Sequence, residues 1–309
     1  MTDTGPTPLV SVIMNAYYSE EFLAEAIASV LAQTYSNWEI ILWENKSSDG
    51  TREIAESFND PRIRYFFAPD KVSLYESRMN AFQQARGEFV AFLDCDDLWL
   101  QEKLILQVPV FADSNCVLSC SDFMINREGS TTENGQATTT RYNTYRSVTD
   151  SCYGVAKDYR VGMSSVMVRV VSARSVWPFP APKYSIIEDF DMVERLLCVG
   201  TLVPLAEPLM VYRWHGNNFS SRLDVEMSEW LDWIEHIEAF DMTLEEQSLI
   251  RIHVETRLLS MKCRRARLSG DRIATWRSAR LLPFSRIKVK FFFSLILPTG
   301  LLRRLISSQ

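Results

Sequence analysis

The chain has 309 residues, of which 47% are hydrophobic and 23% charged, and its formal net charge is −6. This composition is that of an ordinary globular protein and excludes the disordered and collagen-like classes. The negative charge also argues against general nucleic-acid binding, so we expect no nucleic-acid partner.

The compartment is predicted from what the sequence lacks. The first ten residues, MTDTGPTPLV, contain no apolar stretch of the kind that a secretory signal needs. No later run reaches the roughly 18 to 20 apolar residues of a membrane-spanning helix. The six cysteines have neither metal-site pairs nor disulfide-framework spacing. A cytoplasmic protein with reduced thiols is therefore expected.

Strands and helices alternate through the first third of the chain. Short apolar runs predict strands, and apolar residues at helical spacing predict helices, the first of them capped by Ser19. The predicted elements are strands at 9–14, 38–43, 63–67 and 89–93 and helices at 20–33, 51–58 and 73–86. This alternation is typical of an α/β fold with a doubly wound, mainly parallel sheet and helices on both faces.

The stretch GEFVAFLDCDDLW, residues 87–99, passes from an apolar strand to three carboxylates, Asp94, Asp96 and Asp97. In open α/β sheets, side chains just beyond the carboxyl ends of strands face the ligand crevice. Mg²⁺ or Mn²⁺ binds one or two protein carboxylates and shares its remaining coordination with water and substrate phosphates. The stretch therefore predicts a divalent metal site followed by a helix that opens at residue 98. The alternative is a solvated acidic turn that caps this helix through Asp97.

The second half of the chain is less regular. A helix at 100–111 and a strand at 117–121 precede a stretch from 127 to 148 that is rich in Ser, Thr, Gly and Asn and predicts a loop. The elements predicted after it are a strand at 164–169, a Pro-rich turn at 178–182, a helix from 186 to about 200 and a strand at 208–215. From 226 to 282 the residues have amphipathic helical spacing, so we place a domain boundary near Leu223.

Five sequence blocks occur in the order that is typical of one enzyme family. The blocks are VSVIMNAYY, SVLAQTYSNWEIILWENKSSDGT, ARGEFVAFLDCDDLW, IIEDFDMVERL and YRWHGNNFSSR. Together they resemble the family 2 glycosyltransferases over residues 8–222. The resemblance implies a GT-A fold and an inverting transfer from a nucleotide sugar.

The resemblance, together with the boundary near Leu223 and the composition of the tail, gives the expected domain arrangement. A catalytic domain at 1–223 has a nucleotide-sugar half at about 1–122 and an acceptor half at about 123–223. A helical C-terminal region at 224–309 follows it and ends in a basic and apolar tail at 283–309.

Carried over residue by residue, the resemblance implies a donor site. Tyr17 would lie against the base of the nucleotide, and Glu44 would meet the base or its edge, although the family usually has Asp at that position. Arg78 would lie near the nucleotide, with Met79 in place of the family's usual asparagine; the alternative is a solvated helix residue. Asp94 would hold the ribose or the metal. A UDP-sugar is the expected donor.

Metal and catalytic residues follow from the same resemblance. Asp94 and Asp96 would bind Mn²⁺ or Mg²⁺, with His215 as a candidate third ligand; the alternative for His215 is a packed or surface residue. Asp189 would be the base that deprotonates the acceptor hydroxyl. Glu188 would support that base or contact the acceptor. The alternative for Glu188 and Asp189 is an ordinary acidic first turn of a helix.

The tail combines basic residues with the apolar run from 291 to 297. From 276 to 309 the chain has seven basic residues and no acidic one. This pattern predicts peripheral contact with an anionic membrane surface, and the alternative is a helix that packs against protein. A lipid-linked or glycan acceptor on the inner face of the membrane, as in bacterial surface polysaccharide assembly, would suit such a tail. The competing hypothesis is a catalytically degenerate GT-A domain that serves as a membrane-associated assembly subunit.

Overall fold

The computed structural model describes residues 7–131, 137–145, 147–149, 154–155, 158–176, 184–216, 222–240 and 242–281. By its internal contacts the chain divides into two compact units, Met1–Asn218 and Phe219–Gln309. The Pro-rich turn at 178–182 and the tail at 283–309 lie outside the described residues, so the predictions for them stay predictions.

A nine-stranded sheet forms the centre of the first unit. Its strands are β1 Val10–Ala16, β2 Trp38–Glu44, β3 Ile63–Phe67, β4 Phe89–Phe92, β5 Leu98–Trp99, β6 Cys116–Thr131, β7 Ala137–Tyr142, β8 Met167–Arg169 and β9 Thr201–Trp214. Their order is β3-β2-β1-β4-β8-β6-β9-β5, with β7 paired to β6. The first four strands are parallel, as predicted. Beyond β4 the sheet is mixed, since β8 is antiparallel to β4 and β6 whereas β9 is parallel to β6.

The helices of the first unit are α1 Leu23–Leu31, α2 Thr51–Ser57, α3 Leu74–Gln83, α4 Lys103–Gln107, α5 Val170–Val176 and α6 Glu188–Leu197. Helix α3 begins with a capping box in which Ser73 and Glu76 satisfy each other's backbone N–H groups. Ser19 does not cap α1 as predicted, because its hydroxyl accepts a hydrogen bond from the Tyr17 N–H instead.

A buried polar cluster fixes how β4 enters the sheet. Ser11 Oγ donates to Glu39 Oε1 at 2.8 Å and accepts from the Gly87 N–H at 2.9 Å. A Cβ on Gly87 would lie 2.6 Å from the carbonyl oxygen of Leu9, so only glycine fits at this close approach. Strand β4 therefore lies against β1, and the acidic stretch follows the carboxyl end of a central strand.

The region after the acidic stretch differs from the prediction in two places. Leu98 and Trp99 form strand β5, paired with β9, and the helix begins only at Lys103. A run of two residues is too short to show the apolar periodicity from which a strand is predicted, so this strand was not expected. Strand β7, which pairs with β6, lies within the predicted loop at 127–148. Threonine is common in strands, but the polarity of this stretch led to the prediction of a loop.

A fully buried lysine lies behind the acidic stretch. Lys103 Nζ donates to Gln107 Oε1 at 2.5 Å and to the Ser165 carbonyl at 3.3 Å, and it lies 4.5 Å from the ring centroid of Trp99. Burial lowers the pKa of Lys103 to about 7. Gln107 Nε2 also donates to the Ser165 carbonyl, at 3.0 Å. These bonds hold the 3₁₀ turn Met163–Ser165 in place.

The second unit is helical, as predicted. Its helices are α7 Leu223–Glu235, α8 Leu244–Leu268 and α9 Arg272–Leu281. Trp230, Trp233 and Ile234 of α7 are buried, which agrees with the amphipathic spacing. Helix α8 begins with a capping box formed by Thr243 and Glu246. None of the helices described in either unit is long and apolar enough to cross a bilayer.

Candidate active site

The acidic loop after β4 is held by one hydroxyl and one backbone group. Ser164 Oγ accepts from the Asp94 N–H at 3.0 Å and donates to Asp97 Oδ2 at 2.6 Å. The Arg213 N–H donates to Asp97 Oδ1 at 3.1 Å. Asp97 is 1% exposed, so it braces the loop and does not cap a helix as predicted. The side chains of Asp94 and Asp96 stay 37% and 30% exposed, and they are the carboxylates available to a ligand.

Burial and the charges of neighbouring carboxylates raise the pKa values of Asp96 and Asp97. Burial raises the pKa of Asp96, and the Asp94 charge adds to this, while the hydrogen bond with His215 opposes it. Burial also raises the pKa of Asp97 well above its usual range, and the charges of Asp96 and Asp94 raise it further. A divalent cation would offset this repulsion, because it favours the ionised form of each carboxylate that binds it.

His215 contacts the acidic loop and is mostly buried, so it is not a solvated surface residue; its role as a metal ligand stays a prediction. Its Nε2 lies 3.0 Å from Asp96 Oδ2, and its ring packs against Phe22 with 5.2 Å between centroids. Two ligands bound to one octahedral ion by bonds of about 2.1 Å at a right angle lie about 3 Å apart. The spacing of Asp96 and His215, and the match of carboxylate and imidazole to Mn²⁺, therefore fit a divalent metal.

No third metal ligand joins this pair in the described part of the chain, where no group of three His, Cys, Asp or Glu side chains is arranged around one point. Asp94 is instead bound to Arg78, whose Nη2 lies 2.6 Å from Asp94 Oδ1. The diphosphate of a donor and water are the ligands that would complete the coordination of an ion bound by Asp96 and His215.

Arg78 connects the acidic loop to helix α6. Besides its bond to Asp94, the guanidinium forms an ion pair with Glu188 in the first turn of α6. Arg78 and Glu188 are 5% and 7% exposed, so the alternative of a solvated arginine on the surface of α3 is wrong. Met79, which stands where the family usually has asparagine, is buried in the core.

Asp189 lies beside this ion pair. Its Oδ1 accepts from the Phe190 N–H at 2.8 Å. Burial raises the pKa of Asp189, against the opposing effects of that backbone bond, of Tyr159 and of Arg78. The Tyr159 hydroxyl has a pKa raised well above its usual range, by burial and by the Asp189 charge. A carboxylate with a raised pKa is a stronger proton acceptor than a solvated one.

Tyr17 and Glu44 mark the ends of two neighbouring parallel strands. Ala16 of β1 pairs in register with Glu44 of β2, which brings the loops that follow them together. Tyr17 is 42% exposed, and Lys71 Nζ lies 2.6 Å from its hydroxyl and 4.0 Å from its ring centroid. An exposed aromatic ring is suited to stack on a nucleotide base. The cation beside the ring would attract the negative diphosphate of the same nucleotide.

Glu44 is buried, with 1% exposure. Its Oε1 accepts from the Ser47 N–H at 3.0 Å, and its other oxygen accepts from the Tyr65 hydroxyl. Ser47 Oγ in turn accepts from the N–H of Tyr18. Tyr18 and Lys46 both have positive φ, at 51° and 57°, a conformation that costs free energy for non-glycine residues. Glu44 therefore stabilises the strained loop pair next to Tyr17; its contact with a base stays a prediction.

Of the predicted site residues, Arg78, Asp94 and Glu188 form one cluster, and Asp189 follows Glu188 in the sequence. Asp96 and His215 form a second contact beside this cluster. Sequence reasoning missed Ser164, Tyr159 and Lys71. Lys71 could have been found from the sequence, because it is a cation in the loop after β3. Ser164 and Tyr159 could not, because they act through contacts with residues far away in the sequence.

The Arg78–Glu188 pair supports a prediction about stability. We expect Arg78→Met to lower the free energy of unfolding by about 3 kcal/mol, because it leaves the Glu188 carboxylate buried without its cation. The double variant Arg78→Met Glu188→Met should recover most of this loss, since two apolar side chains replace the pair. Urea unfolding of the wild type, both single variants and the double variant measures the coupling. A cost below about 0.5 kcal/mol for Arg78→Met, as for an ordinary surface substitution, would contradict the buried pair.

Comparison with known proteins identifies the family. Residues 11–172, more than half of the chain, match the family model described as glycosyl transferase family 2, and the chain belongs to this family of glycosyltransferases. It is similar to the Escherichia coli UDP-Glc:alpha-D-GlcNAc-diphosphoundecaprenol beta-1,3-glucosyltransferase WfgD, at 39% identity over 35% of this chain and 42% of WfgD. The E. coli enzyme of the same description, WfaP, is 32% identical over 39% of this chain and 48% of WfaP. The matched region thus spans about half the length of these relatives.

Solved structures show the same fold at low sequence identity. The chain resembles S. aureus TarS 1–349 in complex with UDP-GlcNAc, with a TM-score of 0.65, 14% identity and coverage of 92% of this chain and 86% of TarS. It also resembles the mannosyltransferase PcManGT from Pyrobaculum calidifontis in complex with GDP-Man and Mn²⁺, with a TM-score of 0.59 and 14% identity over 98% of this chain and 80% of PcManGT. The predicted GT-A-type fold with a helical C-terminal region is confirmed.

Proposed function

We propose that this chain is an inverting, metal-dependent glycosyltransferase that transfers a sugar from a nucleotide-sugar donor to an acceptor hydroxyl. The observation that carries the proposal is the arrangement at the carboxyl end of β4. There Asp96 lies 3.0 Å from His215, and Arg78 links Asp94 to the first turn of α6, which carries Asp189. This arrangement supports the proposal, because it would bring the proposed metal ligands and the proposed base to one edge of the sheet.

Asp96 and His215 would hold Mn²⁺ or Mg²⁺, and Asp94, which is bound to Arg78, would face the donor beside the ion. The ion would act as a Lewis acid that neutralises the charge developing on the leaving diphosphate. Ser164 and Asp97 fix the backbone of the loop, so that the two exposed carboxylates stay oriented when they bind a ligand. PcManGT, which has the same fold, was solved with Mn²⁺ and GDP-Man, and this supports a metal in the proposed reaction.

Asp189 would be the base that takes the proton of the acceptor hydroxyl. As the hydroxyl oxygen bonds to the anomeric carbon, the bond from that carbon to the diphosphate breaks on the opposite face, which inverts the configuration. The pKa of Asp189 is raised by burial, which favours proton uptake. Glu188, bound to Arg78, would position this turn of α6 or contact the acceptor.

Tyr17 would stack on the base, with Lys71 beside its ring, and Glu44 would order the neighbouring loops or meet the edge of the base. We propose a UDP-sugar as the donor. TarS was solved with UDP-GlcNAc and with UDP, and the names of WfgD and WfaP specify UDP-Glc. An assay with UDP-sugars separates this proposal from that of a degenerate domain, which would release no nucleoside diphosphate.

The names of WfgD and WfaP also specify a sugar on diphosphoundecaprenol as the acceptor. We propose an acceptor of this lipid-linked class, reached from the inner face of the membrane. The proposal is tested with UDP-glucose and a GlcNAc-diphospholipid: NMR of the product should show a β-glycosidic linkage formed from the α-linked donor. A product with retained α configuration would contradict the inverting mechanism.

The tail at 283–309 provides a separate prediction about membrane association. Removing it should weaken binding to vesicles that contain phosphatidylglycerol, because the tail's basic residues and its apolar run would no longer contact the lipid. Co-sedimentation of the full chain and the truncated chain measures the effect, with phosphatidylcholine vesicles as the control. Equal binding of both chains to anionic vesicles would contradict a role for the tail.

A further inference from the structure

One asparagine joins three loops at the proposed donor site. The backbone N–H of Asn45 donates to the Ala16 carbonyl at 2.8 Å. Its side-chain Nδ2 donates to the Val72 carbonyl at 2.8 Å, and its Oδ1 accepts from the Val72 N–H at 2.9 Å. Asn45 thus connects the ends of β1 and β2 with the loop that follows β3.

The two residues bonded to Asn45 are the sequence neighbours of Tyr17 and Lys71. Ala16 precedes Tyr17, and Val72 follows Lys71. The side chains of Tyr17 and Lys71 meet: Lys71 Nζ donates to the Tyr17 hydroxyl at 2.6 Å and lies 4.0 Å from the centroid of its ring. Because the two residues belong to different loops, the bonds of Asn45 set the distance between them.

The loop after β3 has two other attachments near this point. It leaves the sheet at Ala68, whose N–H donates to the Glu44 carbonyl at 2.8 Å. Further along, Asp70 forms an ion pair with Lys46 at 3.0 Å, but both side chains are exposed, and such surface pairs contribute little free energy. Asn45 is 7% exposed, so its two side-chain bonds are shielded from water and hold the end of the loop more firmly.

Lys71 brings an uncompensated positive charge to Tyr17. Its side chain is exposed, and it forms no ion pair with a carboxylate among the described residues. The neighbouring Lys46 is instead neutralised by Asp70. A cation without a counter-ion beside an exposed aromatic ring suits a ligand that has both a flat ring and negative charge, which is the chemistry of a nucleoside diphosphate.

We propose that Asn45 is a positioning residue for donor binding, which holds Lys71 against Tyr17 so that this pair distinguishes a nucleoside diphosphate from the uncharged nucleoside. Asn45 does not itself contact the nucleotide and acts through Lys71. Lys71 attracts the charge of the phosphates while Tyr17 stacks on the base. The inference rests on the proposed function, because it takes Tyr17 as the residue that meets the base.

A purely structural role for Asn45 predicts a different result. If its two bonds only stabilised the turn into helix α3, their loss would weaken the binding of nucleoside and nucleoside diphosphate alike. An effect through Lys71 is confined to ligands that carry phosphate, and it disappears once Lys71 has been removed.

Titration calorimetry of the full chain with UDP plus Mn²⁺, and separately with uridine, tests the proposal. We expect Lys71→Ala to weaken UDP binding about tenfold, the size of one lost charge-assisted contact. Asn45→Ala should weaken it about fivefold, because Lys71 is then no longer preorganised beside Tyr17. Both variants should bind uridine as the wild type does. The double variant Asn45→Ala Lys71→Ala should bind UDP as Lys71→Ala alone does.

Asn37→Ala is the matched control. Asn37 lies directly before β2, at the opposite end of the strand from Asn45, and its Nδ2 also donates to a backbone carbonyl, that of Thr7, at 2.6 Å. Its replacement should leave UDP binding unchanged. Circular dichroism verifies that each variant is folded. Asn45→Ser, whose side chain is too short to make both bonds to Val72, replaces Asn45→Ala if that variant does not fold.

UDP affinity equal to that of the wild type in Lys71→Ala would overturn the proposal. Equal weakening of UDP and uridine binding by Asn45→Ala would also overturn it, as would a further loss of UDP affinity when Asn45→Ala is added to Lys71→Ala. In these cases a wild type that binds UDP leaves the transferase proposal intact. A wild type that did not bind UDP would contradict the transferase proposal as well.

Discussion

Replacing Asp189 with asparagine should lower the rate of sugar transfer by a factor of roughly 10² to 10⁴ while nucleotide binding stays nearly unchanged. Asparagine has the same shape, and its carbonyl oxygen can still accept the bond from the Phe190 N–H. It cannot take up the proton of the acceptor hydroxyl. The loss should therefore appear in kcat, with little change in the Kd for UDP.

A matched control lies two residues further along α6. Asp191 is 2% exposed and pairs with Arg195, with 3.0 Å between Oδ2 and Nε. Asp191→Asn should lower the free energy of unfolding, yet the folded variant should still transfer sugar. An Asp189→Asn variant that transfers as fast as Asp191→Asn would assign the base to another residue.

The pH profile gives a second test of the same residue. Because the pKa of Asp189 is raised by burial, the base becomes protonated at a higher pH than an ordinary aspartate. The transfer rate should therefore fall as the pH is lowered through this raised pKa and level off above it. Asp191→Asn should keep this profile. A rate independent of pH in the acidic range would contradict Asp189 as the base.

The strands of the first half were predictable because each is a short apolar run bounded by polar loops, and β1, β2 and β4 are buried on both faces of the sheet. Strand β5 was not predictable, since Leu98 and Trp99 form a strand only through their pairing with β9. Strand β7 was missed for a related reason. Its polar residues pair with β6, and neither helical nor strict alternating apolar periodicity marks them.

The candidate site also has a part that the sequence predicts and a part that it does not. Asp94 and Asp96 could be placed at the end of a strand from the sequence alone, because the strand and the acids are contiguous. The bond from Arg78 to Asp94, the pair that Arg78 forms with Glu188, and the double role of Ser164 depend on the packing of distant segments. Residue type and spacing do not encode such contacts, so Ser164 was not expected.

Replacing Asp96 with alanine should abolish the metal-dependent part of nucleotide binding. Asp96 is the exposed carboxylate in contact with His215, so its loss removes one of the two side chains whose spacing fits a divalent ion. Binding of UDP in the presence of Mn²⁺ should weaken by about a hundredfold, the upper range for the loss of groups that control metal affinity. His215→Gln should show a smaller effect in the same direction.

Asp113→Ala serves as the control for this variant, because Asp113 is an exposed acid of the same unit outside the site. It should bind UDP and Mn²⁺ as the wild type does. Nucleotide affinity equal in Asp96→Ala and Asp113→Ala would show that the acidic loop binds no metal that the nucleotide requires.

The most direct test of the central claim is calorimetric titration of UDP, GDP, dTDP and CMP, each with and without Mn²⁺, into the wild type and Asp96→Ala. A metal-dependent transferase of a UDP-sugar predicts tight binding of UDP alone, which requires both Mn²⁺ and Asp96. If the folded wild type bound none of the four nucleotides, the claim would be contradicted, and the chain would act as a degenerate GT-A domain in an assembly.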